Sequence, residues 1–276
     1  MRISDQFLNC VLFLCQNGKP KASAFLLAEE GQPREECHLV TARHVIEAAR
    51  AKGAPLTVQG HAANGGLASS RPVAFDEWES DTDTDVAFFP LAGRDLLDGF
   101  TGNTLDPDNV ATDEYVVEND IGPGDEVFTT GLFGLFSGTT SHQPTARFGN
   151  IAMMPSDPVP VCYPDGTRES VRGYLIEGRS IGGQSGSPAF VHLPATRRPG
   201  FLELQGFDPK GPIPASVLPH LLGIVCGHFD ERVRLEALDA KAVANTGIAI
   251  VIPAGAVLRA IARWREGLTS AHDEVR

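Results

Sequence analysis

Short apolar runs, each closed by Gly, Pro, Asp or Asn, recur along almost the whole of this chain and leave little room for long helices. Examples are Cys10–Leu14, Ala24–Ala28, His38–Thr41, Leu56–Val58, Val86–Phe89 and Glu126–Thr130. Further along come Ala146–Met153, Gly173–Ile176, Pro188–Val191, Leu221–Cys226 and Ile248–Ile252. Strand-length runs at such spacing point to an all-β sandwich or barrel. The 29 glycines and 20 prolines supply the turns between them. Two helices are expected. Val45–Lys52 stops at Gly53, a C-terminal cap. Ala254–Glu266 places Val257, Leu258, Ile261 and Trp264 on one face, and Gly267 ends it. The polar, turn-rich stretch Leu96–Gly122 reads as the connection between two halves. Asp208–Pro219, with four prolines, reads as a loop, and Asp230–Asn245 as an insertion or a short helix.

Charge narrows the choice of partners. The net charge is −12 and the sequence pI about 5.1. Phosphate affinity comes from clustered Lys and Arg, and no basic stripe is present, so nucleic acid is not an expected partner. The same charge repels anionic membrane surfaces. No stretch approaches transmembrane length, and the apolar segment after Asn9 is too short for a signal-peptide core. The five cysteines, Cys10, Cys15, Cys37, Cys162 and Cys226, are odd in number and contain no CxxC pair. Free thiols in a reducing compartment fit better than a secreted disulfide framework. The chain therefore reads as cytoplasmic.

Three motifs carry chemistry. In Leu39-Val40-Thr41-Ala42-Arg43-His44-Val45 an apolar strand delivers a histidine to the start of a helix. In Asp83-Thr84-Asp85-Val86-Ala87-Phe88-Phe89 a carboxylate directly precedes a buried strand. In Gly182-Gly183-Gln184-Ser185-Gly186-Ser187-Pro188 a serine lies in a Gly-rich turn that Pro188 keeps from becoming helix. Serine is a weak nucleophile near pH 7 and needs a base within hydrogen-bond reach. An imidazole is such a base. A buried carboxylate fixes its tautomer and stabilises the imidazolium formed during attack. Glycines beside the serine let backbone N–H groups converge on an oxyanion, each donor contributing roughly 3 kcal/mol to the transition state.

The order His, Asp, Ser, with TA-x-H, D-V-A and G-x-S-G-x-P motifs, resembles the trypsin/chymotrypsin-like serine peptidase superfamily, and within it the bacterial intracellular members. The resemblance covers roughly residues 7–266. It implies two six-stranded β-barrels packed face to face, residues 1–110 carrying His and Asp and residues 111–276 carrying the nucleophile and a C-terminal helix. It also implies a catalytic triad of His44, Asp85 and Ser185, an oxyanion hole of the Gly183 and Ser185 amides, a protein or peptide substrate, and no cofactor or metal. Leu222–Gly227 is similar to the strand that pairs with substrate, and Gly247–Pro253 to the closing strand. The pocket floor falls near Glu177–Ser180, where Arg179 is either a specificity residue for an acidic side chain or a surface residue paired with Glu177, with Cys226, Gly227 and His228 along the wall. One departure is Gln184, where secreted zymogens carry an Asp, and no activation segment is visible. The chain thus resembles members that fold directly into their working form.

Several residues admit a rival reading. Asp83 is the alternative to Asp85, which is preferred because it abuts the apolar run. A calcium loop over Asp81-x-Asp83-x-Asp85 fails, because Val86 stands where a glycine is needed and Ala92 where the bidentate Glu belongs. An α/β-hydrolase elbow lacks its last glycine and the following helix. Cys226, in a buried strand, behaves as a small apolar residue. The alternative from another class is a latent or non-catalytic peptidase-fold protein that acts through a regulatory partner.

Overall fold

The structure is a computed structural model and describes residues 3–28, 37–163, 166–178, 183–194, 218–235 and 240–273. Its first half is one antiparallel sheet of eight strands: β1 (Val11–Gln16), β2 (Lys19–Leu27), β3 (His38–Thr41), β4 (Leu56–Ala62), β5 (Leu67–Ser69), β6 (Glu79–Ser80), β7 (Ala87–Pro90) and β8 (Phe100–Thr101). The hydrogen-bonded order is β5-β4-β1-β2-β3-β7-β6, with β8 also on β4. The second half contains β9 (Glu126–Gly131), β10 (Thr145–Met153), β11 (Pro158–Cys162), β12 (Arg168–Arg172), β13 (Tyr174–Glu177), β14 (Pro188–His192), β15 (His220–Leu235) and β16 (Ala240–Pro253). Six of these close a barrel in the order β10-β13-β16-β15-β14-β9, and β11 and β12 form a separate ribbon.

The expectation of an all-β chain with a six-stranded barrel and a C-terminal helix therefore holds. Among the described residues the N-terminal ladder stays open, because its ends β5 and β6 are only three and two residues long and do not pair with each other.

Alternation along the strands explains the core. Leu12 and Leu14 of β1 enter a cluster inside the first sheet with Leu39, Val58 and Phe89. Val11, Phe13 and Cys15, on the opposite face, enter a second cluster between the halves with Phe25, Phe88, Phe128, Phe190 and Ile250. Both faces of β1 are thus buried, and all six of its residues are. A third cluster, including Val127, Ile151, Ile176, Val191 and Val251, fills the barrel.

Among the described residues there are four α-helices: α1 (Asp5–Asn9), α2 (Arg43–Ala51), α3 (Asp113–Glu118) and α4 (Ala254–Asp273). The connection Leu96–Gly122 is less irregular than its composition implies, since it holds β8 and α3, the latter capped by the Thr112 hydroxyl accepting from the Tyr115 amide. The C-terminal helix runs past Gly267, the expected stop. It buries Val257 and Ile261 in the central cluster, stacks Trp264 edge-on against His38 and Phe88 of the first half, and pairs Arg263 with Asp81 and Asp83. The described residues of the span 230–245, which are 230–235 and 240–245, are strand rather than helix. They extend β15 and β16 into a long antiparallel arm, Asp230 opposite Asn245 and Leu235 opposite Ala240. All five cysteines are free, and only Cys162 is exposed. Among the described residues no helix is long and apolar enough to cross a membrane.

Candidate active site

Helix α2 begins without a capping side chain, because Ala42 fills the N-cap position. An unpaired N–H at a helix start needs an acceptor, and Asp85 provides it. Its Oδ1 accepts the His44 amide at 2.8 Å while Oδ2 lies 2.7 Å from His44 Nδ1. One carboxylate therefore fixes both the backbone and the ring of the same histidine. Asp85 is 0% exposed and His44 8%. The negative charge also sits favourably at the positive end of α2. Asp81 and Asp83 are engaged elsewhere, by Arg263, so Asp85 rather than Asp83 meets His44.

The loop bearing Ser185 is held from both halves. On one side, the Ser23 amide in β2 donates to the Ser185 carbonyl at 2.9 Å. The Ser23 hydroxyl donates to the Gly183 carbonyl at 3.1 Å and accepts from the Leu132 amide and the Ser187 hydroxyl. On the other side, the Gly186 amide donates to the Val225 carbonyl and the Val225 amide to the Ser187 carbonyl. Gly186 has φ +83°, and a Cβ there would lie 2.0 Å from the Ser23 carbonyl and 2.3 Å from Thr41 Oγ1. The loop bearing Ser185 thus presses on the end of β3, three residues before His44. Ser185 is half-buried, and its hydroxyl and His44 Nε2 are not hydrogen-bonded to each other. Gly183 adopts φ +100°, a conformation that favours glycine.

Tyr163, which sequence reasoning missed, stacks on the His44 ring with centroids 4.6 Å apart and planes at 21°. It follows the last residue of β11, and no motif announces it. Its hydroxyl is buried without a hydrogen-bond partner. Burial first, and the charge of Asp85 next, push that phenol far above its ordinary range. Cys226 belongs to the central cluster at 1% exposure, and burial, with Asp85 nearby, pushes its thiol well up. Gly227 and His228 follow it on β15, half-buried, with His228 Nε2 3.2 Å from Asp230. Arg179 lies outside the described residues. Among the described residues no group of His, Cys, Asp and Glu could hold a metal ion.

No protein-family model and no curated protein matches the chain. Solved structures do. Deg5 aligns with a TM-score of 0.51 at 16% identity, over 92% of this chain and 88% of that one. The active form of the Rv3671c protease from M. tuberculosis aligns at 0.50 and 15% identity, over 94% and 82%. Human heparin binding protein aligns at 0.50 and 10% identity, over 97% and 94%. Identities this low speak for architecture alone, and on that ground the chain has the trypsin/chymotrypsin-like serine protease fold.

Proposed function

We propose that the chain is a serine endopeptidase acting on protein or peptide substrates. The observation that carries this reading is the doubly anchored His44–Asp85 pair, beside a serine loop clamped between the two halves. In this reading Ser185 Oγ attacks the scissile carbonyl carbon while His44 Nε2 takes its proton. Asp85 holds the Nδ1 proton and stabilises the imidazolium. The carbonyl oxygen becomes an oxyanion held by the Gly183 and Ser185 amides. Collapse expels the amine, which receives the proton from His44, and leaves an acyl-enzyme on Ser185. Water, deprotonated by the same histidine, then releases the acid and regenerates the serine. No step requires a cofactor. A reducing cytoplasm suits the five free thiols.

The reading is tested by incubating the purified chain with a mixture of unstructured polypeptides and mapping new termini by mass spectrometry. Internal cleavages by the wild type and none by Ser185→Ala, with unchanged circular dichroism, is the expected result. Equal cleavage by the variant removes Ser185 from the mechanism.

A further inference from the structure

The ribbon of β11 and β12 joins neither sheet, and a two-stranded ribbon alone is marginal in water. It persists through what it lies on. One face, with Pro158, Pro160, Cys162, Arg168 and Arg172, is exposed. The other carries Val159, Val161, Tyr163 and Val171 into the central cluster. That inward face lies on the site just described. Tyr163 covers the His44 ring. Val161 lies over Gly227, its Cγ1 3.3 Å from where a Cβ would stand. Glu169 of β12 receives Arg43 Nη2 on both carboxylate oxygens, at 2.8 and 2.6 Å, and Arg43 is the residue before His44.

This placement conflicts with an open cleft. The pairing of β14 with β15 ends at Ile224, so the same edge of β15 beyond Val225 is where an extended peptide would add as a further strand. The ribbon lies over that stretch. A general base must also meet a leaving group, yet His44 is 8% exposed under the tyrosine. The Tyr163 hydroxyl is buried beside the Asp85 carboxylate, so the contact is one that gains solvation when broken.

We propose that the β11–β12 ribbon is an autoinhibitory cover, which keeps the resting chain closed to extended peptides until it swings away from His44 and Gly227. This rests on the serine peptidase reading of His44, Asp85 and Ser185. A covered enzyme shows an apparent activity reduced by its open fraction, so loosening the cover raises turnover.

The test compares wild type, Tyr163→Ala and Glu169→Gln. The second variant only releases the Arg43 clasp and leaves the buried ring in place. Two quantities are read: kcat/KM on an extended fluorogenic peptide built on a mapped cleavage site, and formation of a fluorophosphonate adduct at Ser185. The expected result is an adduct in all three proteins, with kcat/KM raised at least ~10-fold in Tyr163→Ala and ~3-fold in Glu169→Gln. Adducts in all three with kcat/KM unchanged or lower overturns the cover and leaves the peptidase standing, with the ribbon then a fixed wall of the substrate site. No adduct in any of them overturns the peptidase reading, and the cover falls with it.

Discussion

The amide of Ser23 donates to the carbonyl of Ser185 across 2.9 Å, so a strand of the N-terminal sheet holds the candidate nucleophile of the C-terminal barrel. The same serine's hydroxyl serves three further groups: the Gly183 carbonyl, the Leu132 amide and the Ser187 hydroxyl. Ser23→Ala keeps the backbone bond and strands those partners in a fully buried place. A stranded buried polar group costs about 1–3 kcal/mol. Urea unfolding is expected to show a loss in that range, with kcat/KM on a small ester lowered ~10-fold as Gly183 loses its tether. An unchanged ester rate in a destabilised variant would make Ser23 a structural residue only.

Gly186→Ala separates shape from chemistry. The positive φ and the approach to Ser23 and Thr41 leave no room for a methyl group, so the loop must move. A displacement of about 1 Å can cost roughly 100-fold in rate. The variant is expected to lose at least that factor and to melt earlier than wild type, whereas Ser185→Ala loses activity at unchanged stability. Calorimetry beside ester hydrolysis distinguishes the two.

The neighbouring carboxylates should behave in opposite ways. Asp85→Asn keeps the shape but exchanges an acceptor for an amide, which disfavours the working His44 tautomer, and kcat is expected to fall about 10,000-fold with little change in KM. Asp83, exposed and paired with Arg263, should tolerate Asn within about threefold, since exposed ion pairs contribute roughly 0–1 kcal/mol. A large loss in Asp83→Asn would reassign the orienting carboxylate.

Stability should fall on mild acidification because two histidines are buried in neutral form. Burial lowers His38 from 6.5 to about 4. It does the same to His142, where the Val11 carbonyl opposes the shift and His61 adds to it. Both folded values lie below the unfolded one, so the unfolded chain takes up protons first as pH falls. The contribution is complete above about pH 6.5, is lost between there and about pH 4, and changes no further below that. At pH 5 each histidine accounts for about 2 kcal/mol of lost stability. Urea titrations at pH 7.5 and pH 5 should show this drop, and His38→Phe with His142→Phe should remove most of it. An equal drop in the double variant would place the acid sensitivity elsewhere.

Much of this architecture was legible because local and global signals agree. Each apolar run lies on a strand, though β2, β15 and β16 extend well beyond theirs, and His44 and Asp85, which stand at the ends of such runs, are in contact. The features that escaped had misleading local chemistry. Strand β11 carries Pro158 and Pro160, which argue against a strand, yet both lie on the exposed face of a ribbon where no further strand needs their N–H. The arm formed by 230–235 and 240–245 is rich in charged residues at its start, which hides the backbone pairing that makes it a strand pair. Ser23 is a small polar residue inside an apolar run, and four of its hydrogen bonds reach residues more than a hundred positions away.

The central claim is that Ser185 is a nucleophile activated by His44 and Asp85. Treating wild type, Asp85→Asn and Ser185→Ala with a fluorophosphonate and reading intact mass tests it most directly. The account predicts a single adduct on wild type, mapped to Ser185, a much slower adduct on Asp85→Asn and none on Ser185→Ala. An adduct that persists in Ser185→Ala, or a folded wild type that never labels, would contradict it.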